Sequence, residues 1–308
     1  MRALAEALEG NFTFVNLGCI GDPDLPLPKD LRRTLTVVEI DAEGDSCKHE
    51  AYGRRIQIRS VVSDREGPHA FRRNRFVGCC SLLEPDEKLI SQYGLERYYD
   101  LIERATVDCT TIPSIQKEYG LRSVDMLKLD LEGMDFRILK TCEPLLGKIL
   151  FIKTELRFQP FYETEPFFWE VCGYLSKFGY EVFDIEHIDR WKYKTSRRKR
   201  QLKGRAVWGD FVFVLRPEVF LNSKCDAQIM LAKQILIAAM LGRKNFAEFL
   251  LDHYSQILPG SWRKELQPCL DMSSPRFPDV VRALRNLLRP VELSLKYLIN
   301  RSEHCAFR

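Results

Sequence analysis

The sequence contains no long uninterrupted apolar run. The longest apolar stretch, Ile229–Leu241, includes Lys233 and Gln234 and is shorter than the roughly 20 residues that a membrane-spanning helix needs. The first residues, MRALAEALEGNF, lack the apolar centre of a secretory signal peptide. We therefore expect a soluble, cytoplasmic protein without a membrane partner.

The sequence also lacks a cysteine framework, strong net charge and internal repeats. Its ten cysteines form no C-x-x-C pair, and no spacing of cysteine and histidine suggests a zinc site. The net charge of +4 over 308 residues is too small to indicate a nucleic-acid partner. Apolar residues make up 45% of the chain and charged residues 29%, which is ordinary for a globular protein. We expect reduced, mostly buried thiols and no metal site.

The most informative stretch is Val124–Lys140, VDMLKLDLEGMDFRILK. Its apolar pattern predicts a strand that ends at Gly133 and a helix that follows. Side chains alternate along a strand, so Lys128, Asp130 and Glu132 are predicted to share one face. Unpaired charges in a buried strand are costly, so they must be paired, solvated or functional. In open α/β sheets ligands bind at the carboxyl ends of strands, where the two acids lie.

Apolar alternation predicts six further strands. They are Phe12–Leu17, Leu35–Ile40, Ile56–Ser63, Ile149–Leu156, Tyr180–Ile185 and Phe211–Leu215. Helical patterns cover Pro113–Tyr119 and Phe167–Phe178. Residues 69–84 are predicted to form a hairpin or an active-site loop, and residues 85–104 to be mostly helical. Strands that alternate with helices indicate a mostly parallel α/β sheet.

Two strand ends carry features of a nucleotide-type ligand site. The first strand ends in Gly18 and Gly21, which would let a ligand approach the backbone closely. Asp41 follows the second strand, at about the spacing at which an acid accepts hydrogen bonds from ribose hydroxyls. An ordinary turn and a solvated strand end are the structural alternatives.

Strand patterns stop after Pro217, and helical patterns follow at residues 226–241, 245–254, 278–288 and 291–299. We therefore predict a sheet domain at residues 1–216 and a C-terminal helical region at residues 217–308. The helical region is expected to pack against the sheet domain or against a second copy of the chain.

A basic stretch separates the last two predicted strands. Trp191–Arg205, WKYKTSRRKRQLKGR, contains eight lysines and arginines among 15 residues. A solvated loop is one interpretation. Contact with an anionic substrate or a nucleic acid is another, since Trp191 and Tyr193 could stack on bases.

At Lys128–Lys140, KLDLEGMDFRILK, the chain resembles the FkbM family of S-adenosylmethionine-dependent methyltransferases. The hallmark of that family is a strand ending Lys-hydrophobic-Asp-hydrophobic-Glu-Gly, then a small residue, an acid and a helix ending in Leu-Lys. VVSDREG at Val61–Gly67, Thr110–Ile112 and Ile149–Glu155 agree with the order of its other segments. The resemblance covers about Phe12–Leu215. It implies a Rossmann-like class I methyltransferase sheet of seven strands with S-adenosylmethionine as cofactor.

The resemblance also implies roles for individual residues. The methionine portion would lie by Asn16, Gly18 and Gly21, the ribose by Asp41, the adenine by Ser63 or Asp64, and the reaction centre by Asp130, Glu132 and Glu155. The family usually has Asp-x-Gly-Ala-Asn at the end of its first strand. Here that segment reads Asn-Leu-Gly-Cys-Ile, so an amide replaces the first acid.

The resemblance implies O-methylation of a sugar or another small-molecule hydroxyl. Asp130, Glu132 or Glu155 could remove the hydroxyl proton if burial or mutual repulsion raises its pKa. A second interpretation makes Lys128–Asp130 and Lys153–Glu155 structural pairs, and a third places Mg²⁺ or Ca²⁺ on the acids. A catalytically silent fold that binds RNA through the basic stretch, or a methyltransferase acting on protein or nucleic acid, are the alternative functions.

Overall fold

A seven-stranded sheet forms the centre of the computed structural model, which describes residues 2–18, 27–42, 52–194, 204–222 and 226–271. In spatial order its strands are β3 (Arg54–Arg59), β2 (Leu35–Asp41), β1 (Phe12–Leu17), β7 (Met126–Leu129), β8 (Phe151–Arg157), β10 (Arg205–Leu215) and β9 (Tyr180–Trp191). Neighbours from β3 to β8 are parallel, and β10 is antiparallel to both β8 and β9. The predicted Rossmann-like, mostly parallel α/β sheet is confirmed.

A smaller sheet lies outside the predicted architecture. It contains β4 (Val61–Val62), β6 (Leu101–Thr110) and β5 (Gly67–Asn74) in that spatial order. The single strand predicted at Ile56–Ser63 is wrong, because the chain leaves the large sheet after β3 and enters the small one at β4. Residues 85–104 are also not mostly helical, since β6 begins at Leu101. Most of β6 is solvent-exposed, so it lacks a clear apolar alternation, and the sequence indicates only a short β-prone segment at Ala105–Ile112, which overlaps its second half.

Ten helices accompany the sheets among the described residues. They are α1 (Arg2–Leu8), α2 (Lys29–Arg32), α3 (Glu87–Tyr93), α4 (Ile112–Glu118), α5 (Asp135–Thr141), α6 (Phe168–Ser176), α7 (Pro217–Leu221), α8 (Ala227–Met240), α9 (Lys244–His253) and α10 (Gly260–Asp271). The predicted helices at Pro113–Tyr119 and Phe167–Phe178 correspond to α4 and α6. None of the described helices is long and apolar enough to cross a membrane.

The helix α8 is buried along most of its length, including two polar side chains. Lys233 Nζ lies 2.8 Å from Asp125 Oδ1, and Gln234 Nε2 donates to the carbonyl oxygen of Leu215 at 2.6 Å. These contacts explain why polar residues interrupt the longest apolar run. Helices α8 and α9 lie where the pattern predicted them. The helical patterns at 278–288 and 291–299 fall outside the described residues, and the division of the chain at residue 217 stays a prediction.

The position of the central strands defines the candidate site. All six residues of β1 are buried, as are most of β7 and β8. Because β1, β2, β7 and β8 are parallel neighbours, their carboxyl ends meet at one edge of the sheet. This edge is where open α/β sheets bind ligands.

Candidate active site

The hallmark stretch folds as strand, turn and helix. The strand β7 ends at Leu129, and α5 begins at Asp135. Between them Glu132 and Gly133 have φ angles of +46° and +92°, in the left-handed region that non-glycine residues rarely adopt. Asp130 and Glu132 therefore belong to a tight turn and not to the strand that the alternation predicted.

Gly18 lies directly against this turn. Its φ is +66°, and a Cβ added there would lie 2.1 Å from the carbonyl oxygen of Asp130, so the position requires glycine. Its N–H donates to the carbonyl oxygen of Ile40 at 3.1 Å. The end of β1 is thus enclosed between β7 and the end of β2, which carries Asp41. The predicted ligand residue Gly21 lies outside the described residues.

Asn16 is buried at the same edge of the sheet. Its side chain belongs to a residue that is 4% exposed, and its Oδ1 has no hydrogen-bond partner among the described residues. A buried polar atom without a partner is costly and calls for an explanation such as a ligand. This oxygen and the close backbone approach at Gly18 fit the cofactor that the family resemblance implies.

Ser63 and Asp64 face the small sheet. The Ser63 hydroxyl lies 3.2 Å from Asp64 Oδ1 and 3.2 Å from His69 Nε2, and its backbone N–H donates to Thr110. Their described contacts do not include Asn16 or the acids at the end of β7. A role for either residue beside the adenine stays a prediction.

Three predicted catalytic residues come together. Asp130, Glu132 and Glu155 each offer a carboxylate oxygen, and these oxygens lie within 4.8 Å of one another. Arg157 of β8, whose side chain is 6% exposed, forms ion pairs with Glu132 at 2.9 Å and with Glu155. Grouped carboxylates could hold a hard cation such as Mg²⁺, but a guanidinium already neutralises two of them.

The loop after β8 adds residues that the sequence reasoning missed. Glu165 accepts from Arg157 Nε at 3.1 Å, and its other oxygen accepts from the N–H groups of Phe161 at 2.8 Å and Tyr162 at 3.2 Å. The Tyr162 hydroxyl donates to Glu132 Oε2 at 3.1 Å. The loop is therefore bonded directly to the carboxylate group.

One of these missed residues had a signal in the sequence. Arg157 directly follows the predicted strand Ile149–Leu156, two positions after Glu155, so a strand one residue longer, as observed in β8, places the two side chains on one face. Glu165 gave no such signal, because it reaches Arg157 only through the course of the loop.

The environment raises the pKa of several of these acids. Burial raises the pKa of Glu132 to about 7. The positive charge of Arg157 lowers this pKa, and the negative charge of Asp130 raises it further. Burial also raises the pKa of Glu155 well above its usual range, although the charge of Arg157 lowers it. Burial and then the charge of Asp130 raise the pKa of Asp135, at the start of α5, to about 7. Carboxyl groups poised near neutrality can exchange protons with a reacting group.

The structural pairs considered as an alternative are only partly present. Lys128 Nζ lies 3.4 Å from Asp130 Oδ2. Lys153, in contrast, pairs with Glu186 of β9 at 2.5 Å, and the carboxylate of Glu155 is bound by an arginine. The interpretation of Lys153–Glu155 as a structural pair is therefore wrong.

The ends of the basic stretch are held by the protein. Trp191 packs edge-on against Phe161 and Tyr93, and Tyr193 stacks on Tyr93 with ring centroids 4.8 Å apart. The two aromatics that could have stacked on bases thus have partners within the chain. Residues 195–203, which carry most of the charge, lie outside the described residues.

Comparison with known protein families agrees with the fold. A search of curated proteins and a search of solved structures each found no match. The family model for the methyltransferase FkbM domain matches residues 73–182. The matched segment runs from β5 into β9 and contains Asp130, Glu132 and Glu155, whereas Asn16, Gly18 and the acid at the end of β2 lie before it. The chain thus carries, over residues 73–182, a match to the FkbM methyltransferase domain, which confirms the resemblance drawn from its motif and supports a methyltransferase.

Proposed function

We propose that this chain is a cytoplasmic, S-adenosylmethionine-dependent O-methyltransferase that acts on a sugar or another small-molecule hydroxyl. The observation that carries the proposal is the meeting of three carboxylates, Asp130, Glu132 and Glu155, at the carboxyl edge of the parallel sheet. They lie beside Gly18, which packs directly against the backbone of Asp130. The family match over residues 73–182 supports the reaction class.

The cofactor would be held by residues at the ends of β1 and β2. Asn16 offers an unpaired buried carbonyl oxygen, which suits an ammonium group. Gly18 would lie by the methionine portion, as the family resemblance implies, and Asp41 would accept hydrogen bonds from ribose hydroxyls. Ser63 and Asp64 are proposed near the adenine.

The protein's own contribution to the reaction would be positioning and proton removal. S-adenosylmethionine supplies the electrophilic methyl group of a sulfonium. Holding the acceptor oxygen in line with that methyl group removes much of the entropic cost of the reaction. Glu132 or Glu155 would accept the hydroxyl proton, since burial raises the pKa of Glu132 to about 7 and that of Glu155 well above its usual range. Arg157 then stabilises the carboxylates when they are ionised.

The proposal is tested by calorimetric titration of the folded protein with S-adenosylmethionine. We expect micromolar binding that Asp41→Ala abolishes and that Asp252→Ala, an exposed change on α9, leaves unaltered. Methyl transfer from labelled cofactor to a panel of glycosides and simple alcohols would then define the acceptor. A folded wild-type protein that gives no binding heat would refute the proposal. If the labelled methyl group is transferred to protein or RNA and not to a glycoside, the proposed class of acceptor is wrong.

A further inference from the structure

The group of acids around Arg157 contains more negative than positive charge. Its guanidinium contacts Glu132 at 2.9 Å, Glu165 at 3.1 Å and also Glu155. A fourth buried carboxyl, that of Asp135, accepts a hydrogen bond from a hydroxyl and not from a cation. Three carboxylates therefore contact one guanidinium, with side chains that are at most 20% exposed, and the fourth carboxyl, of Asp135, is 4% exposed.

The neighbouring elements add little positive charge to this group. Lys128 is 3.4 Å from Asp130, and Lys153 binds Glu186 on β9. The small-sheet side contributes Cys79 and Tyr99, whose pKa values burial raises, so both are neutral there at neutral pH. The uncharged hydroxyl of Tyr162 donates a hydrogen bond to Glu132. Asp210 on β10 is a further acid, and burial raises its pKa as well.

Like charges in a desolvated site cannot all be ionised together. When two carboxyl groups lie close in a desolvated site, they titrate as a pair, and their repulsion retains one proton to higher pH than either would alone unless a shared cation offsets both charges. Glu132 and Glu155 form such a pair, because their oxygens lie within 4.8 Å of each other, and the cation that both contact is Arg157.

Glu165 determines how much of the guanidinium charge this pair receives. Its side chain is 5% exposed, and two backbone N–H groups fix one of its oxygens. The other oxygen is thereby held against Arg157 and takes a share of its charge. Glu165 is thus placed as a positioning residue that acts on the pair through Arg157.

We infer that Glu132 and Glu155 share one proton in the donor-free protein, that Glu165 keeps the proton there by competing for Arg157, and that the pair releases it when a positively charged methyl donor binds beside it. The inference rests on the proposed function. Its consequence is that the catalytic base forms only when the donor is in place, because the added positive charge favours the ionised carboxylate.

The experiment is calorimetric titration at pH 6.5 in two buffers of different ionisation enthalpy, which counts the protons released on binding. S-adenosylmethionine and S-adenosylhomocysteine are the matched ligands, since they differ by one methyl group and one positive charge. At this pH an α-amino group stays protonated in both. We expect release of up to roughly 0.7 proton with the sulfonium, as a carboxyl with a pKa of about 7 would give, and close to none with the neutral ligand.

Two variants in the same loop, each with one glutamate replaced by glutamine, distinguish the effect of the contact between Glu165 and Arg157 from the effect of removing a negative charge. In Glu165→Gln the amide no longer competes for the charge of Arg157, which then stabilises both ionised carboxylates of Glu132 and Glu155. The shared proton is therefore lost before the ligand binds, and the number of protons released on binding at pH 6.5 falls by more than half. Glu163→Gln, at an exposed side chain, leaves the release unchanged. Equal release with both ligands, or full release in Glu165→Gln, would overturn the inference.

A measurement without ligand keeps the shared proton testable by itself. Infrared difference spectra between pH 5.5 and 8 are recorded in an Asp135→Asn background, because Asp135 also titrates near pH 7. They are expected to show a protonated carboxyl band that is lost when either Glu132→Gln or Glu155→Gln is added. A band that survives in both variants overturns the shared proton. If neither ligand binds the folded protein, the proposed function fails, and the infrared result still decides whether the pair holds a proton.

Discussion

Gly18 is the residue whose side chain, if it had one, would most directly disturb the candidate site. We predict that Gly18→Ala destabilises the fold by roughly 1–2 kcal/mol, because alanine is strained at positive φ, and weakens S-adenosylmethionine binding at least tenfold. The added methyl group would lie 2.1 Å from a backbone oxygen of Asp130, so the turn must move. Denaturant unfolding and calorimetry measure the two effects.

Gly173→Ala is the matched control for this substitution. Gly173 lies in α6, and a Cβ there meets no atom within 4 Å. Alanine should stabilise the helix by up to ~1 kcal/mol and leave binding unchanged. Wild-type affinity in Gly18→Ala would show that the cofactor does not bind at this turn.

The raised pKa of Asp135 predicts that the stability of the fold decreases with increasing pH. Its pKa of about 7 in the folded protein lies above the ordinary value of 3.8, so the folded state binds more protons between about pH 4 and 7 and stability falls as pH rises through this range. Asn in place of Asp keeps the oxygen that accepts from Thr154 and removes the charge. Asp135→Asn should therefore stabilise the protein at pH 8 by ~2–4 kcal/mol.

The same Asp135→Asn variant should gain little at pH 4, where the acid is protonated in both states. Urea unfolding of both proteins at several pH values gives the difference directly. A constant difference from pH 4 to 8 would mean that this carboxyl does not titrate differently on folding.

At the scale of elements, one buried ion pair connects α8 to the sheet. Lys233 binds Asp125, which comes just before β7 and also accepts from the backbone of Thr13 and from Ser123. Removing one partner of a buried pair leaves a charge without compensation. We predict that Lys233→Met lowers the free energy of unfolding by ~3–5 kcal/mol, measured by chemical denaturation.

Lys264→Met is the control for Lys233→Met, since Lys264 is exposed on α10 and should change stability little. The double variant Asp125→Asn with Lys233→Met should recover part of the loss, because no charge then remains buried. Without such recovery, the loss would come from packing of the lysine stem instead of the pair.

At the scale of the whole molecule, the basic charge and the acidic site are separate features. The chain has a net charge of +4, yet the candidate site is rich in carboxylates, which favours a cationic ligand and disfavours a phosphate. Eight of the 47 lysines and arginines lie in the basic stretch Trp191–Arg205.

Neutralising that stretch distinguishes the enzyme from an RNA-binding module. We predict that replacing Arg197, Arg198, Lys199 and Arg200 by glutamine leaves S-adenosylmethionine affinity within about twofold, since the proposed cofactor residues Asn16, Gly18 and Asp41 are not among them. RNA binding to wild type, followed by gel shift over a range of salt, should be weak. Tight, salt-sensitive RNA binding that this variant loses would favour the alternative function.

The sequence by itself determined the central strands, because burial on both faces leaves a local apolar signature between turns. Residues 128–140 also carried the resemblance that the family match over residues 73–182 confirms, and the sequence placed the acids of Asp130, Glu132 and Glu155 at the carboxyl ends of the strands. The contact between Arg157 and Glu155 could also have been predicted, because the two residues are two positions apart and share a face if the strand extends to Arg157.

Only the tertiary structure decided what those acids contact. The small sheet could not be predicted, because an exposed ribbon shows no apolar period, and Glu165 reaches Arg157 only through the course of a loop. The partners of Lys153 and Lys233 likewise come from elements distant in sequence. Charge pairing and desolvation depend on distances between such elements, and these distances exist only once the chain has packed.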